Sequence, residues 1–146
     1  MYYKSCEYIE HGIIFTWRDV LTCCFYNADD KKNILFDKYF ADKNFSIENI
    51  MQQKKEIREN FRQGRIFEGC SSCHNMQEKD WDDEDYINLI YISHFTKCAC
   101  NCFYCYYGGQ KQFFQKFKNA KILPLLKEMH SKNILKSDGR VIITDG

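Results

Sequence analysis

The chain has 146 residues, with 21 Lys and Arg against 20 Asp and Glu, and nine cysteines. That length buries one core, or one core with a small metal-stapled unit, and the near-neutral balance supplies no global field for nucleic acid or an anionic membrane. Residues 1–12 carry charges where a signal peptide needs an apolar run, and no stretch approaches the ~18 apolar residues of a membrane span, so a cytoplasmic protein is expected.

In chain order, residues 13–15 and 20–23 are short β-prone runs flanking a polar 16–19 turn, which predicts a hairpin. Residues 29–33 are a polar break. From Ser46, an N-cap residue, Ile47, Ile50, Met51, Ile57 and Phe61 recur at helical spacing, and Gly64 stands where a helix would end, so 47–63 is an amphipathic helix. Its Lys and Arg residues read as a solvated outer face. Residues 69–75 form a Cys-bearing turn, and 77–86 an acidic linker. Ile, Leu and Tyr dominate 87–93, a buried strand, which leads into a Cys- and aromatic-rich loop over 97–109 ending at Gly108 and Gly109. A helix covers 111–130, with Pro124 suited to a first turn. Residues 137–139 turn the chain and 141–144 begin another strand. Strand, cysteine loop, helix, strand is the order of a βαβ unit with a parallel pair.

In a reducing compartment a cysteine-rich chain reads as metal binding before it reads as disulfides, and an odd count leaves a disulfide scheme one thiol over. Cys98, Cys102 and Cys105 have the spacing Cys-x3-Cys-x2-Cys. A Cys₄ set closes all four irons of a [4Fe–4S] cluster, whereas three cysteines on one loop leave one iron open for a ligand. The loop follows a strand and precedes a helix, at the strand end where parallel architectures build sites. Cys100 reads as a spare thiol, though it could replace Cys98.

The stretch Ile90-Tyr-Ile-Ser-His-Phe-Thr-Lys-Cys98 through Cys105-Tyr-Tyr resembles the radical S-adenosylmethionine superfamily. The resemblance implies that the open iron chelates the methionine moiety, and that an electron from the cluster cleaves the cofactor to a 5′-deoxyadenosyl radical. That radical then abstracts hydrogen from a substrate the sequence does not identify. Tyr104, just before the last cysteine, would pack near the adenine. The family also implies an electron donor such as flavodoxin or ferredoxin, and a (β/α) TIM-like barrel. Residues 87–146 would be the start of such a barrel, truncated after its second strand, because Val141-Ile-Ile-Thr-Asp-Gly146 looks like the approach to the family's Gly-Gly-Glu-Pro-like turn.

Cys6, Cys23 or Cys24, Cys70 and Cys73 form a second set. The hairpin brings the end of its second strand back toward the segment before its first, and the helix returns the chain to the Cys70-Ser-Ser-Cys73 turn. This order resembles half of a SPASM or twitch auxiliary-cluster module. It implies a second [4Fe–4S] site in a small Cys-rich α+β unit over residues 1–76, with Cys23 preferred to Cys24. The rival reading is a non-catalytic zinc module, pairing Cys70-x2-Cys73 with Cys102-x2-Cys105 or binding zinc at the N-terminal set. His11, His74, His94 and His130 read as structural or surface residues, His74 being the nearest to a ligand position. Phe113, Phe114 and Phe117 beside lysines read as a helix core face with a charged rim, so no nucleic-acid partner is expected.

Overall fold

The computed structural model describes residues 1–16, 19–23, 34–36, 45–93 and 122–143. In chain order these form β1 (Tyr2–Ser5), α1 (Glu7–His11), β2 (Gly12–Thr16), β3 (Val20–Leu21), β4 (Ile34–Phe36), α2 (Ile47–Arg62), a 3₁₀ turn (Glu68–Cys70), β5 (Gln77–Asp80), β6 (Ile87–Ser93), α3 (Ile122–Ser131) and β7 (Leu135–Ile143). Five strands make a mixed sheet in the order β4-β3-β2-β6-β7, and β1 pairs with β5 in a separate two-stranded ribbon.

The hairpin forms as its turn chemistry directs. Ile14 faces Leu21 and Phe15 faces Val20 in antiparallel register. Thr16 Oγ1 closes the turn, accepting from the Asp19 backbone N–H at 2.8 Å. Strand β6 also matches its expected span, and it runs parallel to β7 with Ile90 opposite Val141. The predicted βαβ pairing is therefore present.

The barrel is not. A (β/α) barrel starts from parallel strands that each extend the sheet in one direction. Here β6 is flanked on both sides, because β2 pairs parallel to it with Ile13 opposite Ile90. The other edge of β2 is occupied by the antiparallel β3 and β4. The hairpin is thus built into the same sheet as β6 and β7, and the architecture is a mixed α/β sheet with three helices among the described residues rather than the start of a barrel behind a small α+β unit. The physical cause is the apolar content of β2. Ile13, Ile14 and Phe15 are all buried, so this strand needs cover on both faces and neighbours on both edges, as a central strand has.

Two further segments differ from their sequence reading. Residues 77–80 are an exposed strand pairing with β1, with Tyr2 opposite Asp80. Residues 137–139 do not separate a turn from a strand. They lie within β7, whose register against β6 shifts between Ile87 and Leu89.

Helix α2 starts at Ser46, whose hydroxyl accepts from the Asn49 N–H at 3.2 Å, and ends ahead of Gly64 at φ +76°, where a residue with a Cβ would be strained. Its buried stripe joins two core clusters. Ile47 and Ile50 pack with Ile13, Phe15, Val20, Leu35, Ile87, Ile90 and α3's Ile122, Leu125 and Met129. Phe61 packs with Tyr3, Cys6, Ile9, Cys23, Cys70 and Trp81. Pro124 falls in the first turn of α3, where its missing N–H leaves no bond unmade. β7 ends the strand order, with Val141, Ile142 and Ile143 exposed. No helix among the described residues is long and apolar enough to cross a membrane.

Candidate metal centre

Three elements carry the N-terminal cysteine set into one place. Cys6 is the N-cap of α1, in extended backbone. Cys23 lies two residues past the end of β3. Cys70 closes the 3₁₀ turn, its N–H bonded to Phe67 O at 2.9 Å, and the next turn bonds Cys73 N–H to Cys70 O at 3.2 Å. Cys6, Cys23 and Cys70 are buried in a single cluster with Trp81, whose indole N–H donates to Tyr3 O at 3.1 Å. Cys73 is half-buried at the cluster's edge, and all four carry thiols.

Burial pushes the Cys70 thiol up to about 12, and the charges of Cys23, Cys6 and Cys73 push in the same direction. Among the described residues no three Cys, His, Asp or Glu side chains already stand together as a metal-ion group. The four thiols are therefore neighbours rather than a closed cage. The donor chemistry suits a soft metal or an iron–sulfur cluster, whose ligands are thiolates. Zinc is equally compatible with four thiolates.

The residues that sequence reading missed are Lys54 and Arg58. Both were expected on a solvated face, yet they are 2% and 4% exposed. Lys54 Nζ donates to the carbonyl oxygens of Tyr8 (3.3 Å), Ile9 (3.0 Å) and Gly12 (2.6 Å) and lies 3.2 Å from Thr22 Oγ1. Burial, then the positive charge of Arg58, pulls its pKa down to about 7, while Glu10, Cys6 and Cys23 favour the charged form. Arg58 donates to Glu84 O at 2.9 Å and is paired with Asp85. The signal was present in the spacing. Ile47, Ile50, Lys54, Arg58 and Phe61 are the buried positions of α2, and helical periodicity puts Lys54 and Arg58 at the centre of that apolar stripe. A cation there has to find buried partners.

Of the remaining candidates, His74 and His130 are exposed, and neither belongs to a metal group. His11 is buried and stacked on Tyr86 with ring centroids 4.0 Å apart. Cys98, Cys100, Cys102, Tyr104, Cys105, Cys24 and His94 lie outside the described residues, as do Phe113, Phe114 and Phe117. The described strand that leads to them is β6. Its last residue Ser93 is opposite Thr16 of β2, and Ile92 is opposite Ile143 of β7, so three parallel strands end at one edge of the sheet. No protein-family model matches the chain, and neither a curated protein nor a solved structure matches it.

Proposed function

We propose that this chain works as a radical S-adenosylmethionine protein with two iron–sulfur sites. One is held by Cys98, Cys102 and Cys105, and the auxiliary one by Cys6, Cys23, Cys70 and Cys73. The observation that supports this reading is the position of β6. It is flanked on both edges by parallel strands, and its C-terminal end passes directly in sequence to the Cys-x3-Cys-x2-Cys segment. Carboxyl ends of parallel strands are where α/β sheets hold ligands, because the segments beyond them diverge and leave a crevice. Such a crevice forms at any parallel sheet edge and does not require a barrel.

When bound, the open-site cluster supplies the electron that cleaves S-adenosylmethionine for hydrogen abstraction. The chain's own residues do the rest. Cys98, Cys102 and Cys105 would hold three irons and leave the fourth for the cofactor, with Tyr104 beside the adenine. Burial of Cys6, Cys23 and Cys70 in one cluster with Ile9, Phe61 and Trp81 would keep water from the auxiliary site.

Anaerobic purification followed by iron, sulfide and zinc analysis tests the reading. Two clusters per chain are expected. Cys98→Ala, Cys102→Ala and Cys105→Ala should each remove about four irons and leave the auxiliary site loaded, while Cys100→Ala changes little. Stoichiometric zinc with no iron overturns the proposal in favour of a non-catalytic zinc module.

A further inference from the structure

We infer that Lys54 is a positioning residue and the built-in counter-charge of the four-cysteine site: its ammonium ties together the segments that carry Cys6 and Cys23 and favours a metal–thiolate group of net negative charge. The inference rests on reading Cys6, Cys23, Cys70 and Cys73 as ligands.

Lys54 stands at the centre of the buried stripe of α2. Burying an ammonium is unfavourable unless its donors and its charge are both met. The donors are met. Three backbone carbonyls, those of Tyr8, Ile9 and Gly12, lie within 3.3 Å of Nζ. An ammonium has three N–H groups for them and a neutral amine only two, so the carbonyls favour the charged form that burial and Arg58 oppose. Tyr8 and Ile9 belong to α1, which begins at Cys6. The fourth neighbour, Thr22 Oγ1 at 3.2 Å, precedes Cys23. One side chain from α2 therefore spans the two segments that present Cys6 and Cys23.

Those oxygens are neutral, so they satisfy hydrogen bonds without returning charge. Glu10 favours the charged form of Lys54, as do the sulfurs of Cys6 and Cys23 when ionised, and Arg58 adds a second buried cation. Burial opposes ionisation of such thiols unless a metal takes the place of the proton. Four thiolates around a [4Fe–4S] core leave net negative charge, which a nearby ammonium stabilises, and the more so after reduction.

The test uses the full chain carrying Cys98→Ala, Cys102→Ala and Cys105→Ala, reconstituted anaerobically with ferrous iron and sulfide so that the four-cysteine site alone is read. Lys54→Met keeps the stem and removes the charge. It should weaken retention of iron against a chelator by ~10–100-fold, the usual effect of removing an outer-shell partner. It should also move the cluster's midpoint potential in the negative direction, since losing a cation disfavours the reduced state. Lys54→Arg should restore the potential in large part. A merely structural lysine would leave the potential of the folded fraction unmoved. If Lys54→Met does not fold by circular dichroism, Thr22→Val takes its place, with weaker iron retention expected. Unchanged retention and potential in a folded variant overturn the role of Lys54 and leave the ligand set standing. A parent protein that takes up neither iron nor zinc removes the ligand set and the inference together.

Discussion

His11 shows how one buried side chain sets a pH response. It is 3% exposed, lies flat against Tyr86 with 2° between the rings, and has Nε2 3.6 Å from Asp82. Burial lowers its pKa below the ordinary 6.5, against the opposing charges of Asp82 and Glu7. Below about pH 6.5 the unfolded chain therefore takes up a proton that the folded chain resists. Stability present above that pH is lost as pH falls toward the depressed folded value. Urea midpoints measured from about pH 7.5 to about pH 5 should decline, and His11→Phe, which keeps the stack, should flatten the decline. A slope unchanged by the substitution would assign the acid sensitivity elsewhere. Nothing in the sequence around His11 announces this environment. Tyr86 and Asp82 are more than seventy positions away in the chain and meet the ring only through the sheet.

At the scale of elements, local chemistry and tertiary demand coincide in α2 and part company in the strands. Ser46 supplies the first-turn acceptor and Gly64 the left-handed exit, so both ends of the helix are written locally. Ser46→Ala should cost about 1 kcal/mol in urea denaturation, the usual loss for an N-cap hydroxyl, with little change in the slope of the transition. The strands behave otherwise. β5, Gln-Glu-Lys-Asp, is polar and fully exposed, and it becomes a strand only because β1 offers it a partner. Periodicity carries no information about such a segment, which is why it read as a linker. The run 137–139 has turn residues but is absorbed into β7, where a register shift accommodates the extra backbone.

The molecule as a whole is organised by β2 and β6, neighbours in the middle of the five-stranded order. Ile90 is fully buried between Ile13 and Val141 on adjacent strands. Ile90→Ala should cost ~2–5 kcal/mol through lost burial and the cavity left behind. Val141→Ala, at a position 47% exposed on the strand at the end of the order, should change stability by no more than ~0.5 kcal/mol. Comparable losses at the two positions would mean that β7 is not at the edge of this core.

What the sequence by itself determined are the features whose causes are local. They are the hairpin at residues 13–23, the amphipathic helix with its caps, the apolar strand at 87–93, and the turn that carries Cys70 and Cys73. Each depends on residues within a few positions of one another, and turn, cap and periodicity rules act at that range. Hairpin and helix geometry return the chain on itself, but the shared burial of Cys6, Cys23 and Cys70 could be read only from packing. Tertiary structure alone decided the rest. Whether β6 opens a barrel or sits between β2 and β7 is a question of strand partnership, and the apolar run of 87–93 is equally satisfied by either. Lys54 and Arg58 were read as solvent-facing because a cation is ordinarily excluded from an apolar stripe. They are buried because α1, Thr22 and the segment at Glu84 and Asp85 supply oxygens that no local window contains.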